Sequence, residues 1–154
     1  MTKGKRALFV AALVVALVGV AATALALPLA TLSMYRPVAS AVVAADTMFV
    51  VSGTMKPVHT LTTTPTTRIY LYRYHRGAWR RYASKLATNR NVNVAYTSFT
   101  TNARLPYNGS WMVRAYHADA GHAASWAPAR YFTVTGPNKP MPTGGTGTCW
   151  LACH

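Results

Sequence analysis

Between residues 68 and 81 the chain sets aromatic rings and guanidinium groups side by side: Arg68, Tyr70, Tyr72, Arg73, Tyr74 and Arg76, then Arg80 and Arg81 beyond a glycine. Such rings stack on sugars or bases, and guanidinium groups hold carboxylates and phosphates through paired N–H donors. These eight residues are therefore a candidate ligand-binding platform for an anionic partner. A plainer reading competes with it: in a sandwich the tyrosines can simply cover the outer face of a strand while the arginine heads stay in water.

Asp119, His122 and Ser125 form a second group, of the residue types a serine hydrolase uses. A nucleophile, a base and an orienting carboxylate must converge in a pocket, however, and no nucleophile-elbow pattern surrounds Ser125. The expectation is a polar hairpin loop, with His117 a surface residue at a strand end. The whole chain carries only two acidic residues, Asp46 and Asp119. That leaves no carboxylate pair for glycoside hydrolysis and no oxygen cage for calcium or magnesium. With no cofactor-binding loop either, the chain is expected not to be an enzyme.

The tail Cys149-Trp150-Leu151-Ala152-Cys153-His154 crowds two thiols and an imidazole together. It resembles a haem c attachment site, in which two cysteines bind the haem vinyls and the adjacent histidine ligates the iron. The common spacing is C-x-x-C-H, and here the cysteines stand one residue further apart. The other reading is a disulfide between Cys149 and Cys153, which an exported chain with an even cysteine count can close. A zinc site would need a fourth ligand from outside the tail. No cofactor is expected on the disulfide reading; on the alternative, Cys149, Cys153 and His154 hold haem c.

Export is implied by the N-terminus. Lys3, Lys5 and Arg6 precede a run from Ala7 to Tyr35 without a single charge, dominated by Ala, Leu and Val. This is the pattern of a signal peptide, with small residues suited to cleavage at Ala24-Leu25-Ala26, Ala39-Ser40-Ala41 or Val43-Ala44-Ala45. The run is also long enough to stay as a membrane-spanning anchor helix. In both cases the basic N-terminus remains in the cytoplasm, and the rest is delivered to the cell surface or secreted. Sixteen Lys and Arg against two acidic residues give a net charge of +14, and from Asp46 onward twelve against two still leave +10. That field attracts anionic polymers such as cell-wall polymers, acidic polysaccharides or lipid headgroups, and it provides no sequence-specific reading of nucleic acid.

The elements that would position these groups are strands. Arg68 to Tyr74 alternates strictly, with Ile69 and Leu71 on one face and the three tyrosines on the other. His75-Arg76-Gly77-Ala78 turns the chain, and Trp79 to Leu86 pairs back as a hairpin anchored by Trp79. Further strands are expected at Met48–Val51, Val92–Phe99, Trp111–Tyr116 and Ala129–Thr135. Trp111, Val113, Ala115, Phe132 and Val134 face the core, and Met112, Arg114 and Tyr116 face outward. Six short strands at hairpin spacing argue for an all-β, two-sheet antiparallel sandwich. The chain therefore divides into an export segment at 1–45, the sandwich at 46–136, and a Pro- and Gly-rich linker with the cysteine tail at 137–154.

The segments Val51-Ser52-Gly53-Thr54-Met55-Lys56-Pro57-Val58-His59, Arg68-Ile69-Tyr70-Leu71-Tyr72-Arg73 with Gly77 and Trp79, and Gly109-Ser110-Trp111-Met112-Val113-Arg114-Ala115-Tyr116-His117 with Asp119, His122 and Ser125-Trp126 carry a resemblance. Together they resemble the immunoglobulin-like modules of bacterial secreted and surface proteins, particularly those of actinobacteria, over residues 47 to 135. The resemblance implies an antiparallel sandwich used as spacer, stalk or binding domain, without catalytic residues. In structural terms it casts Gly53 and Gly77 as turn residues, Pro57 as a loop stiffener, and Trp79 and Trp111 as core fillers. The expected function is a non-enzymatic extracytoplasmic surface module for adhesion or binding of an anionic polymer. The alternative is a haem c electron-transfer protein or a fragment of an extracellular cytochrome.

Overall fold

The computed structural model describes residues 27–58, 67–91 and 95–137. The N-terminal apolar run up to residue 26 and the tail with Cys149, Cys153 and His154 lie outside the described residues, as does most of the Thr-rich stretch before Thr67.

Ten strands form in the described residues: β1 (Thr31–Arg36), β2 (Val42–Ala44), β3 (Met48–Lys56), β4 (Thr67–His75), β5 (Ala78–Leu86), β6 (Thr88–Asn91), β7 (Thr97–Arg104), β8 (Gly109–His117), β9 (Ser125–Trp126) and β10 (Arg130–Thr135). They make two sheets, one ordered β1-β3-β7-β6 and the other β2-β10-β8-β4-β5, with β9 pairing on β8. Among the described residues, β4–β5, β6–β7 and the short β8–β9 pair are consecutive strands paired antiparallel within one sheet, whereas the consecutive strands β1/β2, β2/β3, β3/β4, β5/β6 and β7/β8 lie in different sheets, as in a Greek key. If β1, β3, β4, β5, β6, β7, β8 and β10 are taken as successive strands A, B, C, C′, D, E, F and G, the sheets read A-B-E-D and G-F-C-C′. That is the strand order of an immunoglobulin-like sandwich. β2 adds to the second sheet by running parallel to β10, pairing Val42 with Thr133 and Ala44 with Thr135.

Period-two alternation sets the core. Trp111, Val113 and Ala115 on β8, Ile69 and Leu71 on β4, and Phe132 and Val134 on β10 are buried, as their spacing predicts. Trp111 is the largest fully buried side chain. Its indole N–H donates to the Tyr107 carbonyl at 3.0 Å, and Tyr82 meets its ring edge-on at 5.1 Å. The buried indole thus keeps its hydrogen bond while its apolar body contributes to the core.

The sandwich begins well before residue 46. Ala30, Leu32 and Met34 enter the core from the first segment of the chain, and β1 pairs antiparallel with β3 from Thr31↔Lys56 to Arg36↔Ser52. The period-two signal was present, with Leu29, Thr31 and Tyr35 on the opposite side, but it continues directly from the N-terminal apolar run of the sequence and was hidden by it. Two glycine and tryptophan assignments also change. Gly53 lies inside β3 and makes no turn: a methyl group there would overlap the Ser33 carbonyl and the Phe99 ring, so its missing side chain lets β1 and β7 close on β3. Trp79 is 37% exposed and points away from the core. Gly77 does sit in the tight β4–β5 turn, at φ +79° after Arg76 at φ +51°, a pair that fits a two-residue hairpin turn.

Candidate binding face

The outer face of the β10-β8-β4-β5 sheet collects the aromatic and basic residues. Tyr70, Tyr72 and Tyr74 alternate along β4 opposite the buried Ile69 and Leu71. A register shift between Leu71 and Tyr72 leaves Tyr82 as the extra residue of β5. Beyond that bulge, Arg81 stands opposite Tyr72 and Trp79 opposite Tyr74. On the other flank β8 sets Tyr116 beside Arg68, Arg114 beside Tyr70 and Met112 beside Tyr72. β10 and β9 extend these rows with Tyr131 beside Met112 and Trp126 beside Tyr116.

The rings gather into two groups. Tyr116 and Trp126 lie 4.8 Å apart, and Tyr70 joins them at 5.2 Å from Trp126 and 6.3 Å from Tyr116. Trp79 sits between Tyr74 at 5.3 Å and Tyr131 at 5.5 Å. Tilted and edge-on pairs at these separations each contribute about 0.5–1.5 kcal/mol beyond burial, which favours the observed ring positions. Met112, nearly covered between Tyr72 and Tyr131, fills the gap between the groups. Trp126, Tyr74 and Tyr131 remain well exposed.

Arginines overlie the first group. The Arg114 guanidinium lies 4.7 Å from the Trp126 ring centre, and that of Arg81 lies 5.9 Å from the Tyr70 ring. Arg68 reaches Ser84 Oγ at 3.4 Å. Arg114 Nε is buried and makes no hydrogen bond. Neither acidic side chain neutralises this face, because Asp46 faces Arg104 at 3.9 Å and Asp119 is held between two histidines.

Two of the eight platform residues predicted from the sequence are elsewhere. Arg73 falls on the odd side of β4, donates from Nη2 to the Asn108 carbonyl at 2.9 Å, and covers the Tyr107 ring at 5.0 Å. Arg80 pairs with Arg73 and shares its side of the sheet. Arg76 occupies the β4–β5 turn at the end of the face. The sequence reading missed Trp79 as a platform residue, together with Arg114, Tyr116, Trp126 and Tyr131. The outward parity of Arg114 and Tyr116 was legible, but their adjacency to β4 depends on the sheet order.

The Asp119 loop forms a compact cluster. His117 Nε2 lies 3.1 Å from Asp119 Oδ2, His122 Nδ1 lies 3.0 Å from Asp119 Oδ1, and the Gly121 N–H donates to the same Oδ1 at 2.8 Å. His117 is fully buried, contrary to the surface position expected for it, because it shares the inward parity of Trp111, Val113 and Ala115. Burial works to raise the Asp119 pKa. The hydrogen bonds from His122 and Gly121, with the charges of His117 and His122, outweigh it and hold the carboxyl below its ordinary value. Ser125 does not complete a catalytic set: its Oγ is buried without a hydrogen-bond partner and is bonded to neither histidine.

The candidate face spans four strands, about 14 Å across, and about 20 Å along β4 from Arg68 to Tyr74. An open surface of this kind suits an extended chain better than a small molecule, which is normally enclosed in a cleft. No known family model and no curated protein matches the sequence. Among solved structures, the chain is similar to a fibronectin(III)-like module of CbhA from Clostridium thermocellum, with 15% identity over 68% of this chain and 94% of that one, at a TM-score of 0.39. It is similar to CopC from Methylosinus trichosporium, with 16% identity over 71% and 99% of the two chains and a TM-score of 0.47. It is also similar to the superoxide reductase neelaredoxin from Ignicoccus hospitalis, with 18% identity over 68% and 80% and a TM-score of 0.40. At these scores the likenesses decide neither fold nor function, and the immunoglobulin-like assignment rests on the strand order.

Proposed function

We propose that the chain is an exported, non-enzymatic binding module that lays an anionic polysaccharide of a cell surface along its β10-β8-β4-β5 face. The observation that carries this reading is the coincidence of two ring groups with Arg68, Arg81 and Arg114 on one face that has no carboxylate of its own. Rings hold the apolar faces of sugars, and guanidinium groups supply donors to acidic substituents. From residue 27 onward thirteen Lys and Arg against two acidic residues leave a net charge of +11, which adds long-range attraction to the same partner.

Export by cleavage after Ala26 is part of the proposal. Of the three candidate positions, this one leaves β1 and β2 in the mature chain. Cleavage after Ala41 or Ala45 would remove β1, and with it Ala30, Leu32 and Met34 from the core.

Calorimetric titration of the purified protein with polygalacturonate, wall teichoic acid and neutral dextran tests the binding reading. Affinity for an acidic polymer that weakens as salt rises, with little for dextran, supports it. Equal binding of all three polymers, or of none, overturns it.

A further inference from the structure

At the end of β8 the chain places three metal-competent side chains together outside the binding face. Ligand atoms of His117, Asp119 and His122 all lie within 4.8 Å of one another. The two carboxylate-to-imidazole separations are 3.1 and 3.0 Å. Ligands bound at about 2.0–2.2 Å in a tetrahedral shell stand roughly 3.3 Å apart, so the three side chains, whose two histidines now contact different oxygens of Asp119, would converge on the ion from a spread of at most 4.8 Å. The donors sit where water is scarce: the His117 side chain is 0% exposed, that of His122 16% and that of Asp119 22%.

A second observation marks the same place. The cross-strand neighbours of His117 are Thr67 on β4 and Ser125 on β9. The hydroxyl oxygens of both are buried without a hydrogen-bond partner, and Thr67 is itself fully buried. Directly opposed residues in a sheet project to the same side. Two unmet hydroxyls therefore flank the buried imidazole, in a position to bond to a group attached there, as outer partners of metal ligands commonly do.

We propose that His117, Asp119 and His122 form a binding site for a divalent transition-metal ion, with copper(II) held more tightly than zinc(II). Two imidazole nitrogens and one carboxylate oxygen, without a thiolate, suit these ions rather than calcium or magnesium. The general order of affinities places copper above zinc at such a site. Three protein ligands leave at least one coordination position for water or another donor.

The test uses the full chain carrying Cys149→Ser, Cys153→Ser and His154→Ala, so that the tail cannot compete. Calorimetric titration with Zn2+ and with Cu2+ is expected to show one ion per chain. His122→Ala, chosen because His122 lies on a loop and is partly exposed, should weaken binding by about 100-fold while the far-ultraviolet spectrum stays that of the parent. Asp119→Ala should act alike, and the copper-loaded parent should show nitrogen hyperfine structure in electron paramagnetic resonance that His122→Ala reduces. The proposal is overturned if the parent takes up neither ion at micromolar concentration, or if folded His122→Ala and Asp119→Ala bind both ions as the parent does. The cluster would then be a hydrogen-bonded clasp for the β8–β9 connection.

Discussion

Met34→Ala probes whether β1 belongs to the folded domain. Met34 is 2% exposed and packs in the shared core with Leu32 and Val51. Truncation to alanine deletes three heavy atoms from that site. At about 0.8 kcal/mol per buried methylene-sized group, the transfer contribution is about 2.4 kcal/mol. Incomplete collapse around the space left behind brings the expected loss to about 2–5 kcal/mol. The backbone contribution of β1 should survive, because Arg130 Nη2 donates to the Met34 carbonyl at 2.7 Å rather than to its side chain. Urea unfolding of the purified protein, followed by circular dichroism, measures the change as a lower midpoint at unchanged slope. A loss below about 0.5 kcal/mol would refute the reasoning, since it is the size expected of a surface position. Mass determination of the mature N-terminus accompanies the experiment: a chain starting at Val42 or Asp46 would contradict the strand assignment directly.

Other outcomes follow from the same contacts. Gly53→Ala should cost about 1–3 kcal/mol or more in thermal unfolding, because the added methyl meets the Ser33 carbonyl as well as the Phe99 ring, and only the ring can move. Trp111→Ala should cost about 3–5 kcal/mol, whereas Trp79→Ala should cost about 1 kcal/mol or less and be felt mainly in polymer binding; equal costs would undo the assignment of Trp79 to the outer face. Arg114→Ala should weaken binding of an acidic polymer and lower the slope of log affinity against log salt by about one, as read from titrations at several salt concentrations. In the exported chain, Cys149 and Cys153 are expected to form a disulfide, seen as an intact mass lower by the two hydrogens lost; a Soret band with added haem mass would replace that reading with haem attachment.

What could be read from the sequence was whatever period two alone decides. The alternation of Arg68 to Tyr74 gave β4 with both of its faces, and the odd positions of β8 gave the core residues Trp111, Val113 and Ala115. The same parity already placed Arg73 inward and His117 beneath the surface, although compositional grouping put Arg73 with the tyrosines. Arg80 and Arg81 could not be sorted, because the bulge at Tyr82 shifts the register of β5 by one. β1 escaped notice because its apolar residues continue those of the N-terminal apolar run, and Gly53 read as a turn because only the approach of Ser33 and Phe99 reveals why glycine is needed. The face itself was half visible: β4 and the first residues of β5 adjoin in sequence. Tyr116, Trp126 and Tyr131 join them only through the order β10-β8-β4-β5.

The central claim is that binding resides on this one face. Its most direct measurement compares the affinity of three proteins for the same acidic polysaccharide under identical salt: the parent, the double variant Tyr116→Ala with Trp126→Ala, and Arg90→Ala. Arg90 is an exposed residue of β6 in the other sheet and controls for net charge. The account predicts about a thirtyfold or greater loss for the double variant, from about 1–3 kcal/mol for each of the two stacking rings removed, and little change for Arg90→Ala. Equal affinity for the parent and the double variant, or a loss in Arg90→Ala as large as in the double variant, would mean that charge spread over the whole surface holds the polymer and that the face does not.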